Sequence, residues 1–307
     1  MPRRVGPATG PRVRPGVVFG KMSAMSASYW NQVLADGLTV PEDRPLGDLT
    51  AELTRMLGDP DPGRRDEIAL QTLAAWIERG VYDDLLVGLG DGMGEGLRVG
   101  IETPGTDDVF RRSFSALVLG VCLERANAED LLGRSTVLDW GDRLATWLLR
   151  EQDLRGFVEG KGWAHAVAHG ADAIGALGGS PHLEAPELTV LLDVLADRVL
   201  AERLPGQPPL DHGELDRLAI ATLRLLRRDL LPLSVLEPWV NRVATVATEA
   251  MAGPVGQDPY PRRNHAEGFL RALYVQLALT TRPPAVRADL VLVVVDALRR
   301  TNHAFLT

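Results

Sequence analysis

Two histidines four residues apart and a carboxylate three further on, His165, His169 and Asp172, are the side chains of this chain best spaced to do chemistry together. On a helix running from Gly162 to Leu177 all three would share one face. A helical i, i+4 histidine pair can place two imidazole nitrogens on one divalent metal ion, with Asp172 as a third ligand or as the group that orients a ring. The same spacing also suits two rings bonded to neighbouring carbonyls and carboxylates inside a packed interface, with Asp172 tying one of them down. The zinc-hydrolase pattern HExxH needs a glutamate directly after its first histidine as general base. Ala166 stands there, so the metalloprotease reading fails.

The approach to this helix points to a site as well. Gly156, Gly160 and Gly162 interrupt what would otherwise continue as helix, and they let the backbone come close to a partner. Between them Glu159 and Lys161 set opposite charges beside Trp163. Among 33 basic residues only Lys21 and Lys161 are lysines. A lysine is a compact charge whose pKa falls on burial, so it can donate a proton or act as an amine nucleophile where arginine cannot. The simpler reading is a Glu159–Lys161 surface pair.

Elsewhere the candidates are thinner. His265, with Asn264 and Glu267, opens a helix from Arg263 to Leu279. That is an ordinary solvated position, although a curled chain could bring it round as a third nitrogen ligand. Asp211, His212, Glu214 and Asp216 cluster at another helix start, where acids meet the positive end of the macrodipole and capping is a sufficient explanation. His182 and His303 read as surface residues. The glycines at 88, 90, 92, 94 and 96 would each cost a helix about 1 kcal/mol against alanine. They follow no strand in a GxGxxG pattern and no Walker lysine accompanies them, so they form no phosphate cradle. A flexible helix end or a close helix crossing fits them better, with a lid over the histidines as a further option. There is no GxSxG, and Cys122 has no base beside it in sequence.

The run Glu159-Gly160-Lys161-Gly162-Trp163-Ala164-His165, followed by Ala168-His169-Gly170-Ala171-Asp172, resembles the signature of the bacterial family catalogued as domain of unknown function 2785. The stretch Asn264 to Leu277, with its Leu-Arg-x-Leu-Tyr core, is similar to that family's C-terminal region. The resemblance extends over residues 28 to 300 and implies a helical, HEAT-like bacterial protein with no assigned activity.

The elements that must position the histidines read as helices between Pro/Gly breaks: Ser28 to Ala35, Leu46 to Leu57, Asp66 to Arg79, Tyr82 to Leu97, Asp107 to Arg125 with Thr106 as N-cap, and Ser135 to Arg150. After the motif helix come Pro186 to Ala201, Asp211 to Arg227, Leu233 to Met251, Arg263 to Leu279 and Ala285 to Arg299. The motif helix brings the count to about twelve, and a helix pair recurs at roughly the 40–47-residue period of HEAT and armadillo arrays. The expected fold is therefore all-α, a HEAT/armadillo-like α-solenoid of antiparallel helices, with a compact α/α toroid-like domain as the alternative.

Composition agrees. Hydrophobic residues make up 45% of the chain and aromatics only 5%, so Leu, Val and Ala must supply the core, which favours helix over strand. Residues 1–25 are rich in Arg, Pro and Gly without periodicity and read as a disordered basic arm, or as a mis-assigned start ahead of Met22 or Met25. Residues 26–307 read as one helical-repeat domain. The net charge is −8; the first 21 residues hold five basic side chains and no acids, which leaves 28 − 41 = −13 for the body. An acidic body disfavours nucleic acid and anionic membranes as partners. No apolar run reaches the length of a membrane span or a secretory h-region. The single cysteine forbids an intramolecular disulfide, which suits a reducing cytoplasm.

These readings combine into a polar groove built around Glu159, Lys161, Trp163, His165, His169 and Asp172, taking a small molecule, a peptide or a protein partner. The rival is a metal-assisted enzyme in which His165, His169 and Asp172, with His265, hold a divalent ion and Glu159 or Lys161 handles protons. In a third reading the motif is a buried polar network that locks helices together.

Overall fold

A computed structural model describes residues 28–203, 206–250, 258, 260–303 and 306. The basic segment 1–25 lies outside these residues. The chain divides into two compact units between Arg44 and Pro45. In the first, helix α1 (residues 28–35) buries Trp30 and Val33, and the Tyr29 hydroxyl donates to Asp43 Oδ1 at 2.9 Å.

In the second unit a helix α2 (Leu46–Met56) precedes a π-helical segment, Gly63–Leu70, that runs without a break into α3 (Gln71–Glu78). A short turn then leads to α4 (Leu86–Gly96), followed by α5 (Asp108–Glu129) and α6 (Arg134–Arg150). Next comes a small antiparallel hairpin, β1 (Phe157–Val158) with β2 (Gly162–Trp163), and then α7 (Ala166–Gly178), α8 (Ala185–Leu200), α9 (Glu214–Leu226), α10 (Leu233–Ala250), α11 (Tyr260–Leu279) and α12 (Arg287–Thr301). Among the described residues this hairpin holds the only strands, and the protein is all-α in class.

The helices pack in two rows. In one row α5 meets α7, α7 meets α9 and α9 meets α11; in the other α4 meets α6, α6 meets α8, α8 meets α10 and α10 meets α12. Neighbours across the rows pair as α4 with α5, α6 with α7, α8 with α9 and α10 with α11. Apolar side chains supply the layer between them, including Phe110, Phe114, Trp140, Ile174, Leu192 and Phe269, all fully buried.

Small residues set the tightest crossings. Every residue of α7 except Asp172 is buried, because its alanines and glycines let both neighbours come to the backbone. A Cβ on Gly120 of α5 would lie 3.2 Å from the Ala173 Cα, and one on Gly175 would lie 3.3 Å from the Ala221 Cα of α9. Three of the five glycines of α4 have the same use: Gly90 receives the Trp140 ring, Gly94 the Arg143 side chain and Gly96 Ser115 from α5, whereas Gly88 and Gly92 have no neighbour within 4 Å. Close crossing accounts for those three.

Two local expectations are corrected. The Thr106 hydroxyl donates to the Thr103 carbonyl instead of capping α5, which starts at Asp108 with no side-chain cap. The motif helix starts at Ala166 rather than Gly162, because Gly160 (φ 73°), Gly162 (φ 79°) and His165 (φ 47°) all lie in the left-handed region, which no helix accommodates.

Candidate functional site

The hairpin folds as it does because a three-residue turn, Glu159-Gly160-Lys161, offers glycine where a positive φ is needed, and the Lys161 amide closes it on the Val158 carbonyl at 2.9 Å. Across the pair Phe157 faces Trp163, their ring centroids 5.0 Å apart and edge to face. Both rings stay half-exposed, at 51% and 43%.

Behind the hairpin a buried arginine holds it in place. Arg65, on the π-helical segment, is fully buried and lies over the faces of Phe110 and Phe114 at 4.2 and 4.9 Å. It pairs with Asp66 and donates to the Lys161 carbonyl at 2.8 Å. The loop entering the hairpin is fixed in the same manner. Glu151 takes both arms of the buried Arg112 at 2.6 and 2.9 Å, and Asp153 takes Arg155 and the Gly105 amide. Burial works against the charge on Asp153, yet Arg155 and that amide outweigh it and hold the carboxyl below its ordinary range.

His165 is the residue between hairpin and helix. Its left-handed backbone costs on the order of 1 kcal/mol, and the surroundings over-determine it. Its amide donates to the Arg155 carbonyl at 3.1 Å, the Ala164 amide to the Gly156 carbonyl at 2.8 Å, and its own carbonyl accepts the His169 amide at 2.9 Å. The imidazole stacks on Trp163, 4.3 Å between centroids with the planes 20° apart. Its Nε2 is buried with no hydrogen-bond partner. Opposite, 3.8 Å away, is Oε1 of Glu214, likewise buried without a partner. The other oxygen, Glu214 Oε2, accepts the His212 amide at 2.8 Å. Burial lowers the pKa of His165, the His212 backbone opposing, and raises that of Glu214, with the amides of Glu214 and His212 opposing.

His169 is directed inward. Its Nδ1 lies 2.7 Å from the Ser113 hydroxyl, which also bonds the Ala164 carbonyl. One hydroxyl proton serves two neighbours only if Ser113 donates to the carbonyl and accepts from Nδ1–H, which fixes the His169 tautomer. Ser113 is fully buried and its proton is committed to a carbonyl, so this Ser–His contact is not a nucleophile with its base. Burial, followed by the nearby His165 and Arg217, depresses the His169 pKa to about 3. The two rings meet edge to face at 6.0 Å.

The remaining residues of the expected set do not all converge here. Asp172 forms a bidentate pair with Arg217 of α9. Lys161 pairs with Asp107 at 2.7 and 2.8 Å, not with Glu159, which is exposed on the turn. His265 is buried, not solvated, and its Nε2 accepts the Leu210 amide at 2.9 Å; burial, then Arg203 and Arg198, push its pKa down to about 4. With Asp172 held by Arg217 and His265 by Leu210, the four ligands that the metal reading called for are not assembled. Among the described residues no three His, Cys, Asp or Glu side chains are grouped to hold a metal ion. His182 Nε2 donates to the Leu132 carbonyl at 2.7 Å, and His303 is exposed.

Sequence reasoning passed over Glu214 and Arg65. A glutamate at a helix start reads as a cap, although its carboxylate takes the His212 amide ahead of α9 and no side chain caps that helix; an arginine in a chain full of arginines carries no signal.

A sequence profile of the family described as "Protein of unknown function (DUF2785)" matches residues 97–275, a span that runs from before α5 into α11 and contains the hairpin, both histidines and Glu214. The chain belongs to this family. No curated protein and no solved structure matches it. In this DUF2785 member no described helix is long and apolar enough to cross a membrane. Two clefts, of about 460 and 480 Å³, lie away from the hairpin and share Ile101 and Arg150 in their walls. Neither cleft is lined by His165 or Glu214.

Proposed function

We propose that this DUF2785 member is a helical scaffold that binds a small molecule or a peptide at the junction of the hairpin with α7 and α9. The observation that supports the reading is the half-exposed Phe157–Trp163 pair, held on a backbone whose strain at His165 is offset by hydrogen bonds from three sides. Exposed aromatic rings on an over-determined loop are costly for packing alone and useful for a ligand. Around them the Lys161–Asp107 and Asp172–Arg217 pairs supply charges of both signs with which a ligand can be oriented. The two-row packing, with each helix meeting the next but one, supports a HEAT-type solenoid over a closed toroid.

The test is a fluorescence-monitored screen of fragments and short peptides against wild type and Trp163→Ala. Ligands are expected to bind the wild type and to lose at least about tenfold in affinity in the variant while its melting temperature is unchanged. Equal binding by a folded Trp163→Ala protein would remove this face as the site.

A further inference from the structure

Arginines in this protein recur in one arrangement. Arg65, Arg112, Arg125, Arg155 and Arg217 each aim the edge formed by Nε and Nη2 at one carboxylate, on Asp66, Glu151, Asp83, Asp153 and Asp172 respectively. That edge presents two parallel N–H bonds, which match the two oxygens of a carboxylate. Arg198 of α8 departs from the pattern. Its Nη1 donates to the Leu148 and Glu151 carbonyls at the end of α6, at 3.2 and 2.7 Å. Its Nε is buried without a partner; Nη2 makes no hydrogen bond among the described residues and, unlike Nε, is not sealed from solvent.

The charge of Arg198 is unmatched too, although the residue is only 5% exposed. Both oxygens of the neighbouring Glu151 go to the fully buried Arg112, so two buried arginines share one carboxylate. The carbonyls at the end of α6 supply partial negative charge but no counter-ion. His265 registers the excess: after burial, Arg203 and Arg198 are what push its pKa down to about 4. Arg198 lines the cleft of about 460 Å³, together with the apolar Ile101, Leu149 and Ala201. The other acids in that wall, Glu102 and Glu202, have arginines of their own, Arg150 at 3.7 Å and Arg262 at 3.4 Å. Each acid in the wall therefore has a cation, and one buried cation has no acid. Water in the cleft would satisfy its N–H bonds but leave the charge uncompensated, which is the costlier deficit.

We propose that this cleft binds a monocarboxylate with a short apolar body, its oxygens on the free edge of Arg198 and its body against Ile101, Leu149 and Ala201. This is a second site, independent of the hairpin face, and its volume suits a small molecule. A phosphate dianion brings one charge more than Arg198 matches and meets Glu102 and Glu202 besides. A neutral amide has one oxygen for two N–H bonds and supplies no charge.

Calorimetric titration of the full chain tests it, with hexanoate and benzoate as probes, hexanamide and benzamide as their neutral counterparts, and inorganic phosphate and chloride as competitors. The acids are expected to bind the wild type, the amides at least about tenfold more weakly, and neither competitor to displace the acids. Arg198→Lys keeps the charge but not the two-pronged edge and is expected to lose at least about tenfold in affinity for the acids. Ala201→Trp fills the cleft while leaving Arg198 in place, and is expected to abolish binding at an unchanged melting temperature. The acid–amide comparison is made on the wild type, so it stands even if a variant misfolds. Equal binding of acid and amide, or displacement by chloride or phosphate, overturns the carboxylate site, and binding of no probe overturns it by assigning the free edge to water. Acid binding that survives Ala201→Trp but is lost in Trp163→Ala moves the ligand to the hairpin, which overturns the cleft and leaves the function proposed above.

Discussion

His169 and His265 occupy places where an imidazole is accommodated neutral and penalised when charged. Their pKa values, about 3 and about 4, lie below the ordinary 6.5, chiefly through burial. The unfolded chain therefore binds protons near pH 6.5 that the folded chain refuses until about pH 3 to 4, and stability present above pH 6.5 is lost as pH falls through that window. Glu214 and Asp66, whose carboxyls burial raises, act in the opposite sense, since their contribution declines as pH rises through their folded values. The two histidine shifts are large enough to dominate, on the order of a few kcal/mol. The urea midpoint is expected to fall steadily from pH 7 to pH 5, and less steeply in His169→Gln; a flat profile for the wild type would contradict this. At this scale the sequence carried half of the site. The i, i+4 spacing singled out both histidines, but it could not show that Ser113 holds one of them, that Arg217 takes Asp172, or that Glu214 comes from 45 residues beyond His169 to face the other. Partners brought together only by packing leave no local trace.

Elements were legible to within a few residues where apolar periodicity ran unbroken, as in α6, α8 and α9, and misread where glycine set the geometry. The sequence reads Gly162 and Trp163, the second strand of the hairpin, as the start of the motif helix and the stretch before them as a loop, because a two-residue strand shows no periodicity and Trp163 fits either pattern. Conversely, the α4 glycines read as costly to a helix and yet are helical; at Gly90 and Gly96 the missing side chain admits the Trp140 ring and Ser115. Gly90→Ala exposes the trade-off. Intrinsic helix propensity would favour alanine by about 1 kcal/mol, but its Cβ would be driven into the Trp140 ring, and overpacking of this kind costs about 1–3 kcal/mol or more. Net destabilisation is therefore expected in urea unfolding, accompanied by a change in Trp140 fluorescence. A neutral or stabilised Gly90→Ala would mean that α4 and α6 can separate freely at this crossing.

For the whole molecule, the twelve-helix, all-α reading followed from composition and from the regular spacing of breaks, whereas the packing of alternate helices into rows did not. That packing places α7 between α5 and α9 and so brings the hairpin, the histidine pair and Glu214 to one junction inside the span shared with the family. The competing locations are the two clefts about Ile101 and Arg150, whose lining includes charged residues in ion pairs and the buried Arg198, held by the Leu148 and Glu151 carbonyls. A fragment mixture added to isotope-labelled protein, with amide shifts followed residue by residue, separates them most directly. The account predicts perturbations centred on Phe157, Trp163, His165 and Glu214. Perturbations confined to Ile101, Arg150 and their neighbours, with the hairpin silent, would contradict it.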